Sequence, residues 1–334
     1  METAEELNVR MAEYAEPFRL SQPAPEPVGA SGEEMILVAS ADGTSVPMHR
    51  ADQTRDPDPQ AEEGKQGSTR RAYVGAVYAI EPFVRGPQDV LDELFRKQAA
   101  ERRPVPQDKR LWAEMAAADG DHDWLSGSGL VFVEMAVDVA TRDPDRKATL
   151  VCLMDGERKL WDLQSEWLDR SVEVLDFYHA MSRVRRVAKV VHANDEIRRV
   201  SWVEAQATDL VSGGVETVIR RWSRLLRESE RSESWTDSQQ ETVRSAITYY
   251  RNNRHRMDYA AYLSAGYPIG SGNIEGACRN LVKDRLDCTG MHWRLPGSRA
   301  MLKTRALYLN GEWDQFVEFR IATEQQELYY QNAA

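Results

Sequence analysis

Apolar positions along this chain follow two rhythms, and the change from one to the other marks where strands give way to helices. MILVASADG (35–43) is an apolar run closed by Asp-Gly with SVPMHR directly behind it, a pattern that predicts two strands joined by a tight turn. RAYVGAVYAIEPF (71–83) carries the aromatic and β-branched residues of a strand. ATLVCLMDG (148–156) is again an apolar run ending in Asp-Gly, and VEVLDFYH (172–179) is a further strand candidate. Helical spacing appears after Pro87 at Val90, Leu91, Leu94 and Phe95, again around Leu130 to Val139 ahead of the turn RDPDR, and in ERKLWDLQSEWL. Strands alternating with helices predict an α/β fold, with a mixed sheet because the first strands read as a hairpin meander.

From Ala180 to about Tyr262 the strand rhythm stops. MSRVRRVAKVV, EIRRVSWVEAQATDLV, VETVIRRWSRLLRE and SQQETVRSAITYYRN each place apolar residues at i, i+3, i+4 with Arg on the remaining faces, so an all-α block is predicted between two parts of the core. GYPIGSGNIEGACRNLVKDRL then opens a further helix: Pro and Gly stop what precedes it, and Ser271 or Gly272 supplies the cap. SRAMLKTRALYL and the segment from Trp313 predict two more. The first residues hold Pro23, Pro25, Pro27, Gly29 and Gly32 among acids, which predicts a flexible tail with one short helix at its start. Residues 51–70 read as an exposed loop. The expected organisation is a tail (1–34), a first core part (35–180), a helical insertion (181–264), a second core part (265–310) and a C-terminal helix (311–334).

Composition narrows the function classes. A chain of 334 residues, 42% hydrophobic and 29% charged, is neither collagen-like nor disordered throughout, and three dispersed cysteines make no disulfide scaffold and point to a reducing compartment. No apolar run nears the roughly 20 residues of a membrane-spanning helix, and METAEELNVRMAEYAEP is acidic where a signal peptide is basic and then apolar, so a soluble, cytoplasmic protein is expected. The net charge of −11 argues against a nucleic-acid partner until its distribution is considered. Residues 1–70 carry 6 Lys and Arg against 14 Asp and Glu, whereas residues 176–305 carry 22 against 15. The second half is thus basic, as a nucleic-acid surface or a solvated helix face would be.

Few residues invite chemistry. Asp42 and Asp155 share the context of an apolar strand followed by Asp-Gly: carboxylates at strand ends sit where ligands bind open α/β sheets and are what Mg²⁺ prefers, although Asp-Gly is also favoured turn chemistry. Glu275 falls in the first turn of the helix that GYPIGSG introduces, as a third metal ligand or as an acid favoured by the helix dipole with Arg279 four residues on. Asp176 and His179 fall at a strand-to-helix handover, where Asp-x-x-His can orient a neighbouring acid. Cys278, Cys288 and His292 have no zinc spacing, and neither a Gly-x-Ser-x-Gly elbow nor a Walker sequence occurs. Trp293, in GMHWRLPGS, could stack on a base; the other tryptophans read as helix-packing anchors.

ADGTSVPM, LVCLMDGERKLW, VLDFYH and above all GYPIGSGNIEGACRNLVKDRLDCTGMHW, followed by ALYLNGEWD, resemble the ISKra-type family of bacterial insertion-sequence transposases over about Met35 to Phe319. The resemblance implies a ribonuclease H-like catalytic core interrupted by a helical insertion, and a DDE triad of Asp42, Asp155 and Glu275 holding two Mg²⁺, with Mn²⁺ as a substitute. It implies metal-dependent cleavage and strand transfer of DNA by in-line phosphoryl displacement, with Asp176 and His179 in supporting places. Arg279, Lys283, Arg285 and Arg294 would grip the phosphate backbone beside Trp293. The implied partners are element ends and target DNA, a homo-oligomer on that DNA, and a separate subunit supplying the upstream DNA-binding region that such transposases carry; a truncated or split copy is therefore expected. The alternatives are an inactive remnant that only binds DNA or a partner, and a ribonuclease H-like nuclease without strand transfer. Where the family reads Asp-Gly-Lys-Gly-Val this chain has Asp42-Gly43-Thr44-Ser45-Val46, so a cation near the first acid is expected to be missing.

Overall fold

A computed structural model describes residues 3–29, 34–53, 68–97, 103–116, 127–288 and 290–333. Five strands, β1 (Ile36–Pro47), β2 (Thr69–Ile80), β3 (Gln107–Met115), β4 (Thr149–Met154) and β5 (Val172–Leu175), form one mixed sheet in the order β3-β2-β1-β4-β5. The β1–β2 and β2–β3 pairs are antiparallel, and β1–β4 and β4–β5 are parallel. The helices are α1 (Ala4–Glu13), α2 (Ala15–Ser21), α3 (Pro87–Leu94), α4 (Ser128–Arg142), α5 (Arg158–Trp167), α6 (Phe177–Val191), α7 (Glu196–Val211), α8 (Val215–Ser232), α9 (Asp237–Asn253), α10 (Tyr259–Ser264), α11 (Gly272–Ala277), α12 (Asp284–Leu286), α13 (Leu295–Leu309) and α14 (Trp313–Ala333). Between α11 and α12 the helical run passes through a π-helical stretch, Cys278–Lys283.

Alternation along β1 explains the layers. Ile36 and Val38 face one hydrophobic cluster, whereas Leu37, Ala39 and Ala41 face another built with α4 and α5. The first cluster runs without a break from the sheet into the helical block, joining Val38, Tyr78 and Val151 to Val184, Leu210, Trp222 and Tyr250. The block therefore has no core of its own, and the predicted boundary at 180/181 falls inside α6. A third cluster seats the far half of β1 and β2 against α11, the π-helical stretch and α13 through Val46, Ala72, Ile274, Leu281 and Leu302.

Three expectations are corrected. Asp42-Gly43 makes no turn: β1 is a single strand, and its pairing to β2 carries through Asp42 opposite Val74 and Gly43 opposite Tyr73, so a ladder of twelve residue pairs overrides a local turn preference. The strand in VEVLDFYH ends at Leu175, because Asp176 turns to cap α6 by accepting from the His179 N–H. The described part of the predicted tail is docked rather than flexible: α1 has a Thr3/Glu6 capping box and packs on α13, and fully buried Phe18 of α2 meets the rings of Phe316 and Phe319 edge-on at 5.6 and 5.7 Å. The loop predicted for 51–70 lies mostly outside the described residues. Strand β3 carried no reading from sequence; it is an edge strand whose apolar half, Leu111 to Met115, pairs with β2.

Candidate functional site

Parallel pairing of β1 and β4 places two acids side by side. The ladder runs from Ile36 opposite Thr149 to Ala39 opposite Cys152, the Ser40 hydroxyl donates to the Leu153 carbonyl, and beyond it Asp42 and Asp155 come near enough for the Asp155 charge to act on Asp42. Asp155 caps the turn after β4 by accepting from the Glu157 N–H at 2.9 Å, and the Trp161 indole donates to its carbonyl at 2.6 Å. Asp42 accepts from the Gly43 N–H at 2.7 Å. Burial and then the Asp155 charge push the Asp42 carboxyl above its ordinary pKa, opposed by the Gly43 N–H, Arg71 and His179. The Asp155 charge thus makes the ionised form of Asp42 costlier, a strain that a cation relieves.

Asp176 joins two segments far apart in the chain. It is fully buried, and its Oδ1 accepts from the backbone N–H of His179 at 2.6 Å and lies 3.0 Å from His179 Nδ1, while Oδ2 accepts from the Ser271 N–H at 2.5 Å. Burial alone would raise its pKa, but these hydrogen bonds outweigh it and hold the carboxyl below the usual range. One residue on, the Phe177 N–H donates to the Ile269 carbonyl at 2.9 Å, so the returning chain is stitched to the end of β5. That stitch delivers Glu275. Its Oε1 lies 3.8 Å from His179 Nδ1 and 3.4 Å from the Ser271 hydroxyl, and its side chain is half exposed. Three residues further along, the buried Cys278 Sγ is 3.7 Å from Asp42 Oδ2; burial and then the Asp42 charge push this thiol's pKa well up.

His179 stands among all four acids. The hydrogen bond to Asp176 raises its pKa to about 9 against the opposing effect of burial, and the charges of Asp155 and Glu275 add to the rise. It is an imidazolium at neutral pH that in turn steadies Asp42. Asp176, His179 and Glu275 each offer a ligand atom within 4.8 Å of the others. Asp176 is nevertheless a poor ligand, because both its oxygens are already occupied by N–H groups. Its contacts aim His179 and hold the Ser271 N–H.

Several residues of this region carried no sequence signal. Arg71 of β2 reaches across Gly43: a Cβ on that glycine would stand 2.3 Å from Nη2, which also donates to the Gly43 carbonyl at 3.2 Å and pairs with Glu157 at 2.6 Å. The cation expected to be missing beside the first acid is thus supplied from the neighbouring strand. Tyr249 of α9 lies against Gly156, where a Cβ would fall 2.2 Å from its ring, and Arg183 of α6 stacks over the ring at 4.7 Å. Burial and the Asp155 charge raise the pKa of the Tyr249 phenol. The two Asp-Gly glycines were the available clue, since each leaves room for a large side chain of another element.

The residues assigned to DNA contact differ among themselves. Lys283, Arg285 and Arg294 are exposed, and Arg279 is exposed but lies 3.8 Å from Asp284. Trp293 is only half exposed. It bridges Met48 as a short parallel pairing, exchanges backbone hydrogen bonds with Pro47 and His49 at 3.0 and 2.9 Å, and packs on the third cluster. Compared with models of protein families, with curated proteins and with solved structures, the chain matches none. Among the described residues no helix is long and apolar enough to cross a membrane.

Proposed function

We propose that the chain is a metal-dependent phosphoryltransferase acting on DNA, the catalytic part of a transposase with a ribonuclease H-like core. The observation that carries the reading is the closeness of Asp42, midway along β1, to Asp155, just past the end of parallel β4, with Glu275 brought to the same histidine by the returning chain. The strand order β3-β2-β1-β4-β5, with β2 alone antiparallel to both its neighbours, supports the expected core type.

By its chemistry the donor set suits hard divalent cations, with oxygen ligands, an acid excess and one carboxyl destabilised in its charged form by the other. Among the described residues the ligand atoms already gathered within 4.8 Å are those of Asp176, His179 and Glu275, and not those of Asp42, Asp155 and Glu275 together. Asp42, Asp155 and Glu275 would hold two Mg²⁺ or Mn²⁺, which when bound supply Lewis-acid polarisation of a phosphodiester and activation of the attacking oxygen. The protein's own groups do the rest. Asp176 fixes His179 and the start of α11, and so fixes where Glu275 can reach. Arg71 balances Asp42 and Glu157 without displacing either. Tyr249 and Trp161 wall the Asp155 side.

The test is thermal unfolding with and without Mn²⁺ for wild type, Asp42→Asn, Asp155→Asn and Glu275→Gln, followed by incubation of a DNA 3′-hydroxyl end with a target duplex. A cation that binds only the folded state at a hundredfold excess over Kd adds about 2.7 kcal/mol, so the wild type should gain and each variant should lose that gain. Joined DNA products support strand transfer. Cleavage without joining reduces the reading to a nuclease, and a wild type indifferent to metal overturns it.

A further inference from the structure

Arginines of the helical block fall into two groups that the sequence does not separate. Seven of the fourteen between residues 181 and 264 are paired with carboxylates: Arg198 and Arg199 with Asp195 and Glu196, Arg221 with Asp209 at 2.6 Å, Arg224 with Glu228 at 3.8 Å, Arg244 with Glu230 and Glu241 at 3.0 and 2.9 Å, Arg254 with Glu216 at 3.7 Å, and Arg256 with Glu173 at 2.5 Å. Among the described residues the other seven have no carboxylate partner, and of these Arg183 and Arg186 stand on the face of α6 that leads from the acids: Arg183 lies over the Tyr249 ring, and Arg186 is exposed.

Their spacing gives this a direction. His179, Arg183 and Arg186 follow one another at four and three residues, which puts them in one row on one face of α6, starting at the acids. On α9, packed against α6, Tyr249, Ser245, Thr242 and Ser238 step back at four, three and four residues and form a second row. The rows meet at the acids, where Tyr249 touches both Gly156 and Arg183. Further out they border a groove of about 400 Å³ that Arg183, Arg186, Ser238, Thr242 and Ser245 line together. The one carboxylate on its lining, Glu241, is paired to Arg244.

We infer that this groove between α6 and α9 is a track for the phosphodiester backbone of the DNA strand that enters the acid site, with Arg183 and Arg186 as its phosphate contacts. The inference rests on the proposed function and adds a residue-level substrate path to it. From His179 to Arg186 is about 10 Å at roughly 1.5 Å per residue, which spans about three nucleotides at about 3.4 Å each. The hydroxyl row offers uncharged hydrogen-bonding groups opposite the guanidinium groups, a combination suited to sequence-independent contact with phosphate and sugar.

The experiment is fluorescence anisotropy of a labelled DNA oligonucleotide with the full chain in EDTA, titrated over a range of salt. The variants are Arg183→Gln with Arg186→Gln, the charge-matched control Arg224→Gln with Arg254→Gln, and Ser245→Glu, which puts a carboxylate at an exposed position of the track. Removing two phosphate contacts lowers the slope of log K against log salt by about 1.5. The Arg183/Arg186 variant and Ser245→Glu should each lose about tenfold or more in affinity at low salt, and the control less than about threefold. An equal loss in control and track variants, or no loss in the track variants, overturns the track while leaving DNA binding in place. No binding by the wild type overturns the underlying reading as well. Thermal unfolding of each variant verifies its fold, and Ser245→Glu, being exposed, keeps the test open if the double variant does not fold.

Discussion

Where β1 begins, Asp138 and Arg142 of α4 are both almost fully buried 2.7 Å apart, with Arg110 of β3 at 3.6 Å from the same carboxyl. At the other end of the sheet, Asp42 is set beside Asp155, and the arginine that acts on it, Arg71, is shared with Glu157. Burial raises the pKa of Asp138 as it does that of Asp42, but in the first case the next influences are two arginines and in the second another acid. The same sheet closes one charge cluster with its own cations and leaves the other in acid excess. A buried pair that is self-sufficient serves the fold, and the acid excess at the second site is the feature on which the proposed metal binding rests. The groove of about 560 Å³ under residues 22–29 opens on Arg142, at the closed end.

The contrast is broken most directly at the acids. Asp42→Asn or Asp155→Asn should cost about a thousandfold or more in DNA cleavage while raising stability in EDTA, because each removes a repulsion; a variant that loses stability would make the pair structural like its counterpart. Asp138→Ala should do the reverse, costing about 3–5 kcal/mol in urea unfolding by leaving Arg142 buried and unpaired, with metal affinity unchanged. Gly156→Ala, which must push the Tyr249 ring aside, should cost about 1–3 kcal/mol and weaken the metal-induced rise in Tm.

The smallest expected effect separates His179 from both clusters. Its folded pKa of about 9 lies above the unfolded value near 6.5, so its contribution to stability is complete below pH 6.5 and is lost as pH rises through 9. In EDTA, His179→Gln should flatten that part of the pH–stability curve. An unchanged slope would mean that Asp176 holds the site without the imidazolium.

Much of the sheet was legible because β2, β4 and most helices follow a single rhythm of burial. The failures have physical causes. Asp42-Gly43 looks like a turn to any reading confined to neighbours, yet the partner that keeps it extended lies some thirty residues away in β2. Strand β3 begins with the charged run Gln107 to Arg110 and buries only its second half, so its alternation is cut short. Asp42, Asp155, Glu275 and His179 were legible from local context. Arg71, Tyr249 and the split between paired and unpaired arginines were not, because each depends on which distant side chain fills a space beside a glycine or a guanidinium.

The Asp176 stitch also sets an order in time. Its two oxygens hold segments 95 residues apart, a long loop whose closure costs less once the helices between them have shortened it. The helices have local contacts and form early, whereas the third acid arrives with the last loop to close. In refolding, the recovery of helical signal should therefore run ahead of the recovery of metal response, leaving a helical, metal-insensitive intermediate whose lifetime lengthens when Asp176 is replaced.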